Sequence, residues 1–152
     1  MGPSPLKRAP QRLRFPAAWI AAVLVLAGCG GGGAGRGGPA GTVVGVTERD
    51  FHIATTLAAV RSGQVTLRIH EQGPDEHELI VAPERNHGLP MRSDGFTVNE
   101  EAIQNSEPGS INPQEPGVTR YLTMNLAPGR YVLFCNMEGH YMAGMHVELR
   151  VS

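Results

Sequence analysis

Two cysteines are all that 152 residues contain. They stand far apart, at Cys29 and Cys135, so a scaffold built on several disulfides is excluded. Basic residues are scarce over most of the chain. Thirteen Lys and Arg face fourteen Asp and Glu, but Lys7, Arg8, Arg12 and Arg14 all fall in the first 28 residues, which hold no acid. The remainder has nine basic and fourteen acidic side chains, a net of −5. That balance argues against nucleic acid, which asks for a basic patch. Long apolar runs are missing too: FPAAWIAAVLVLA has 13 residues, short of the roughly 20 that a spanning helix needs. No internal repeat is present. What remains is 41% hydrophobic and 18% charged, enough apolar side chain for a core and too little charge for a disordered chain.

The N-terminus holds the positive charge for a reason. A basic stretch, KRAPQRLR, precedes the apolar run, which ends in LAGC, Leu26 to Cys29. Basic segment, short apolar core and small residues in that order form a secretory signal. The small residues before a cysteine resemble the bacterial lipobox. That resemblance implies cleavage before Cys29 and acylation of its thiol and new amino group. An ordinary signal, or an uncleaved anchor with a chance cysteine, is the alternative. GGGGAGRGGPAG, residues 30–41, has almost nothing to pack and reads as a flexible tether. The expected organisation is a signal peptide over 1–28, a lipidated Cys29 with its tether over 29–41, and one domain over 42–152. Such a domain is leashed to the extracytoplasmic face of a bacterial membrane, in the periplasm or at the cell surface. Cys135 is then a lone thiol in an often oxidising compartment, which needs an explanation.

Within the domain the apolar period is two. QVTLRI sets Val65, Leu67 and Ile69 on one face, YLTMNL sets Leu122, Met124 and Leu126 inward, and MHVELRV aligns Met145, Val147, Leu149 and Val151. Short alternating runs separated by RSG, EQGPDE and APG predict antiparallel strands. TVVGVTERDFHI reads as a first strand pair or one bent strand, and HELIVA as a nearly all-apolar strand. Residues 83–118 carry five prolines and no sustained period. They read as loop with a short helix around Val98–Gln104. The expected class is all-β, a Greek-key β-sandwich.

The chemistry is concentrated in CNMEGHYMAGM, Cys135 to Met145, which holds one cysteine, one histidine and three of the chain's six methionines. Thiolate, imidazole and thioether are the donors of a copper site, and two histidines, a cysteine and a weak axial methionine make the blue-copper arrangement. The spacing Cys135-x4-His140-x4-Met145 lets one loop turn three side chains toward one metal. A second histidine must come from elsewhere. His77, in GPDEHELIV, is in phase with Leu79 and Val81 and points into the interior that Cys135 shares with Tyr131 and Leu133; His87 is a spare candidate. Each residue also has a plainer explanation. Cys135 suits a buried thiol, Met145 suits core packing, and His77 suits a satisfied core histidine. By alternation His52, His70 and His146 fall on polar faces. Met137 and Met142 fall outside the ligand phase and suit an apolar rim around an exposed histidine edge.

With GPDEHELIV, LAPGRYVLFCNMEGHYMAGM and HVELRV on the page, residues 42–152 resemble the cupredoxins. The loop spacing is similar to that of the rusticyanin and sulfocyanin group. The resemblance implies one type 1 copper held by His77, Cys135 and His140, with Met145 axial. It implies a one-electron carrier, not an enzyme, that meets a redox protein through a rim of Met137, Tyr141 and Met142. Copper storage or delivery is the second reading, and a cysteine-nucleophile enzyme or a zinc site the remoter ones. Three positions depart from the family pattern. Glu138 replaces a common proline, and its charge is expected to favour Cu(II) and lower the potential. Glu78 follows His77 where relatives carry a loop-tying asparagine, and Asn136 follows the cysteine and is a possible substitute tie.

Overall fold

The computed structural model describes residues 41–152. Cys29, the signal segment and the tether up to Ala40 lie outside the described residues. Four strands form one sheet, in the order β2 (His52–Thr55), β1 (Thr42–Arg49), β4 (Gly63–Glu71), β7 (Thr119–Leu126). Five form the other, in the order β3 (Ala59–Val60), β9 (His146–Val151), β8 (Gly129–Phe134), β5 (His77–Pro83), β6 (Gly109–Gln114). β1 runs parallel to β4 and β3 parallel to β9, and the other pairings are antiparallel. The all-β sandwich expected from the alternation is the observed architecture.

The period of two decides what each strand buries. In β4, Val65, Leu67 and Ile69 are buried while Gln64 and Arg68 face solvent. Facing them across the sandwich are Leu79, Val81, Leu133, Cys135, Met145 and Leu149. Each fully buried Leu- or Ile-sized side chain contributes about 1.5–3 kcal/mol through removal from water. TVVGVTERDFHI is a hairpin, β1 and β2, turned through Asp50 and Phe51.

β5 is apolar on both faces for a structural reason. Ile80 and Ala82 leave the main core and join Phe134, Leu89, Val98 and Ile103 in a second cluster, packed under the 83–106 segment. That segment contains the expected short helix, α1 (Glu100–Ile103), followed by a 3-10 turn at Gln104–Ser106. Its buried Ile103 anchors it.

Three features depart from the sequence reading: the β1–β4 and β3–β9 pairs are parallel where antiparallel strands are expected, the two-residue β3 is too short to show an alternation, and one loop is a strand. Gly109–Gln114, read as loop, is strand β6. It pairs with β5 alone and forms the sheet's edge, so little of it is buried. The register slips between His77↔Gln114 and Leu79↔Ile111, leaving one extra residue on β6 around Asn112 and Pro113. A polar edge strand carrying a proline at an irregular register has no apolar alternation to read.

Candidate metal centre

The loop that joins β8 to β9 carries three of the four expected ligands. Its ends are held as a continuation of the hairpin: Cys135 N–H donates to the Met145 carbonyl at 3.1 Å. Inside, successive backbone bonds wind the chain, with His140 N–H to the Met137 carbonyl at 2.9 Å, Ala143 N–H to Gly139 at 2.9 Å and Met145 N–H to His140 at 3.0 Å. Gly139 and Gly144 take φ of 80° and 99°, a region costly for other residues. They bracket the turn and explain the glycine before both His140 and Met145.

Cys135 and Met145 are fully buried and His140 is half-buried. Cys135 Sγ lies 3.6 Å from His140 Nδ1. His77, at the start of β5, is also fully buried, and its ring centroid lies 5.2 Å from that of His140. The backbone at Met137 and Glu78 favours the Cys135 thiolate. Burial outweighs them and pushes the thiol up to about 11. Such a group keeps its proton unless a cation displaces it, which makes it inert as a free nucleophile and suited to a metal. Burial and then His77 push His140 down, opposed by Asp50 and Asp75, leaving a neutral imidazole whose lone pair is free to ligate.

His77 is held through one ring nitrogen. Its Nδ1 lies 2.9 Å from Glu71 Oε2, and its Nε2 lies 3.5 Å from Asp50 Oδ1 without a hydrogen-bond partner. Among the described residues, no three His, Cys, Asp or Glu side chains converge into a group able to hold a metal ion. The structure brings Cys135 to His140 and His77 beside His140, while His77 is engaged by Glu71. The donor set still fits copper: a buried thiol, two imidazoles, a buried thioether, and an orphaned buried nitrogen on His77.

Several neighbours of the site were not singled out from the sequence. Glu71 and Glu48 are register partners across β4 and β1, both fully buried. Burial, then Glu71 and Glu78, raises Glu48 to about 8, and neither of its oxygens has a partner. The signal was available. Glu71 continues the inward series Val65, Leu67, Ile69, and Glu48 continues Val44, Val46. Phe51, at φ 57° in the β1–β2 turn, packs edge-on against His140 at 5.2 Å while staying half exposed.

The expected rim divides. Met142 is exposed, Met137 packs partly against the main core, and Tyr141 meets Phe134 edge-on and lies tilted against His146. Glu138 is exposed, and so is His87. Asn136 does form a tie, but to the 83–118 segment: its Oδ1 accepts the Val98 N–H at 2.5 Å and its Nδ2 donates to the Val98 carbonyl at 3.0 Å and to Glu100 at 2.6 Å. Burial raises the Glu78 carboxyl, opposed in part by the Asn136 backbone.

No protein-family profile matches the chain, and no curated protein matches its sequence. Solved structures do match in fold. Reduced auracyanin from Roseiflexus castenholzii superposes with a TM-score of 0.58 at 18% identity, covering 74% of this chain and 98% of that one. Auracyanin A from Chloroflexus aurantiacus, a "blue" copper protein, gives 0.57 at 19% identity over 74% and 100%. Reduced rusticyanin gives 0.52 at 13% identity over 74% and 81%. The chain has a cupredoxin-family fold.

Proposed function

We propose that the protein is a one-electron carrier with a single copper held by His77, Cys135 and His140, and by Met145 axially. The observation that carries this is the contact of Cys135 Sγ with His140 Nδ1 at 3.6 Å in an interior shared with buried Met145 and His77. Copper, when bound, supplies a Cu(I)/Cu(II) couple. The protein's part is to hold the donors: the β8–β9 loop fixes three through its own backbone bonds, and β5 fixes the fourth. Rigid donors keep reorganisation small when the electron moves. The half-buried His140 edge, with Phe51 and Met142 exposed nearby and Met137 and Tyr141 behind, is the proposed electron port and the weak docking rim for a redox protein. A lipid on Cys29 and the tether would hold the domain outside a bacterial membrane. The thiol at about 11 speaks against a cysteine-nucleophile enzyme.

Copper storage or delivery is the second reading, favoured by exposed Met142, a soft donor at the loop surface. Loading the full-length protein with Cu(II) tests the first. An intense thiolate-to-copper band is expected, and its absence sinks the proposal. Stopped-flow mixing with a redox protein then separates electron exchange from slow copper release.

A further inference from the structure

Two carboxylates lie buried in the strand pair behind the candidate metal centre, and the ligand set uses neither. Glu48 on β1 and Glu71 on β4 are register partners, both fully buried. No lysine or arginine is buried among the described residues, so no basic side chain offsets the pair. Glu71 is anchored: its Oε1 accepts the Gly73 backbone N–H at 2.6 Å, and its Oε2 lies 2.9 Å from the His77 ring. Neither oxygen of Glu48 has a partner. Two neighbouring acids in a low-dielectric interior do not both stay ionised, and the one without donors keeps a proton. The titratable groups that face Glu48 add negative charge. β4 contributes Glu71, β5 contributes Glu78, and the β8–β9 loop contributes Cys135, whose ionisation the Glu48 charge opposes. β2 sets the apolar Ile53 opposite it, and His77 is linked to it through Glu71.

Resting on the copper reading above, we propose that Glu48 is a redox-linked proton site: its carboxylate takes one proton from water when the centre gains an electron and returns it when the electron leaves. An O–H bond forms on Glu48 in reduction and breaks in oxidation, while the electron is exchanged with the redox protein. The electrostatic reach between Glu48 and Cys135 carries the coupling. An electron added at the ligands removes one positive charge there, which strengthens proton binding at Glu48. By linkage the bound proton strengthens electron binding by the same factor. Burial, then Glu71 and Glu78, already raises Glu48 to about 8 in the metal-free chain, so the proton is exchanged near neutral pH. Glu71, held by its donors, supplies a fixed charge and does not share the role.

Two measurements test this. Side-chain carboxyl carbon NMR on the metal-free, full-length protein follows Glu48 without copper and needs no variant. Its midpoint is expected near pH 8, and an ordinary midpoint near 4.5 overturns the proposal. In the copper-loaded protein, Glu48 is expected to bind its proton about tenfold more tightly with Cu(I) than with Cu(II), within the usual range of coupling between two sites. Between about pH 6 and 10 the wild-type potential should then fall by about 59 mV more than that of Glu48→Gln. His140 and the other titrating groups act in both proteins and drop out of the comparison. Matching potential profiles overturn the proposal. A missing thiolate-to-copper band sinks the copper reading and the coupling with it, and the metal-free titration tells that failure apart from the loss of the proton site itself.

Discussion

Glu48→Gln is expected to stabilise the metal-free protein near neutral pH and to do little near pH 4. Glu48 sits in the parallel pair β1–β4 opposite Glu71, fully buried, with no partner for either oxygen. Its carboxyl is raised from 4.5 to about 8, first by burial and then by Glu71 and Glu78. The folded chain therefore keeps a proton that the unfolded chain gives up above pH 4.5. The stabilisation from the neutral acid is fully present below that value and is lost as pH rises through about 8. Each pH unit inside the window costs about 1.4 kcal/mol, so from pH 4.5 to 7 the loss is about 3 kcal/mol. Glutamine keeps the shape and cannot titrate. Urea unfolding of wild type and variant at pH 4.5, 6 and 7 should show the variant's advantage growing by about that amount. Other titrating groups cancel in the difference. An advantage that stays flat with pH to within about 0.5 kcal/mol refutes the assignment of Glu48 as the proton holder.

Two further outcomes concern the ligands. With the Cys135 thiol pushed to about 11, Cu(I) binding should release close to one proton at pH 8, and affinity should rise about tenfold per pH unit between 7 and 10. Anaerobic chelator competition reads the slope, and a flat profile would mean the thiol is not a ligand. Met145→Leu should change the copper spectrum and potential, whereas Met142→Leu, exposed at the surface, should leave both unchanged. The reverse pattern would move the axial ligand to Met142.

How much of this was readable in the chain depends on the length scale of each feature. The strands that bury one face announced themselves, because Val65, Leu67 and Ile69 or Met145, Leu149 and Val151 need only their own alternation to be seen. β5 read as an apolar strand, but its second buried face required the 83–106 segment to close over Ile80 and Ala82. β6 was invisible for the opposite reason, since an edge strand can remain polar. The candidate metal loop was legible because three candidate donors and two turn glycines lie within eleven residues.

The sequence by itself determined which side chains point inward, including Glu48 and Glu71, and which candidate donors the β8–β9 loop carries. Only the tertiary structure decided what those inward groups meet. Alternation reports a face and not a neighbour. The pairing of β1 with β4 set two acids side by side, the β1–β2 turn laid Phe51 on His140 and Asp50 near His77, and the return of the chain to β5 set His77 on Glu71. Those contacts join residues up to about ninety positions apart, where strand pairing and sheet packing, not local period, choose the partner.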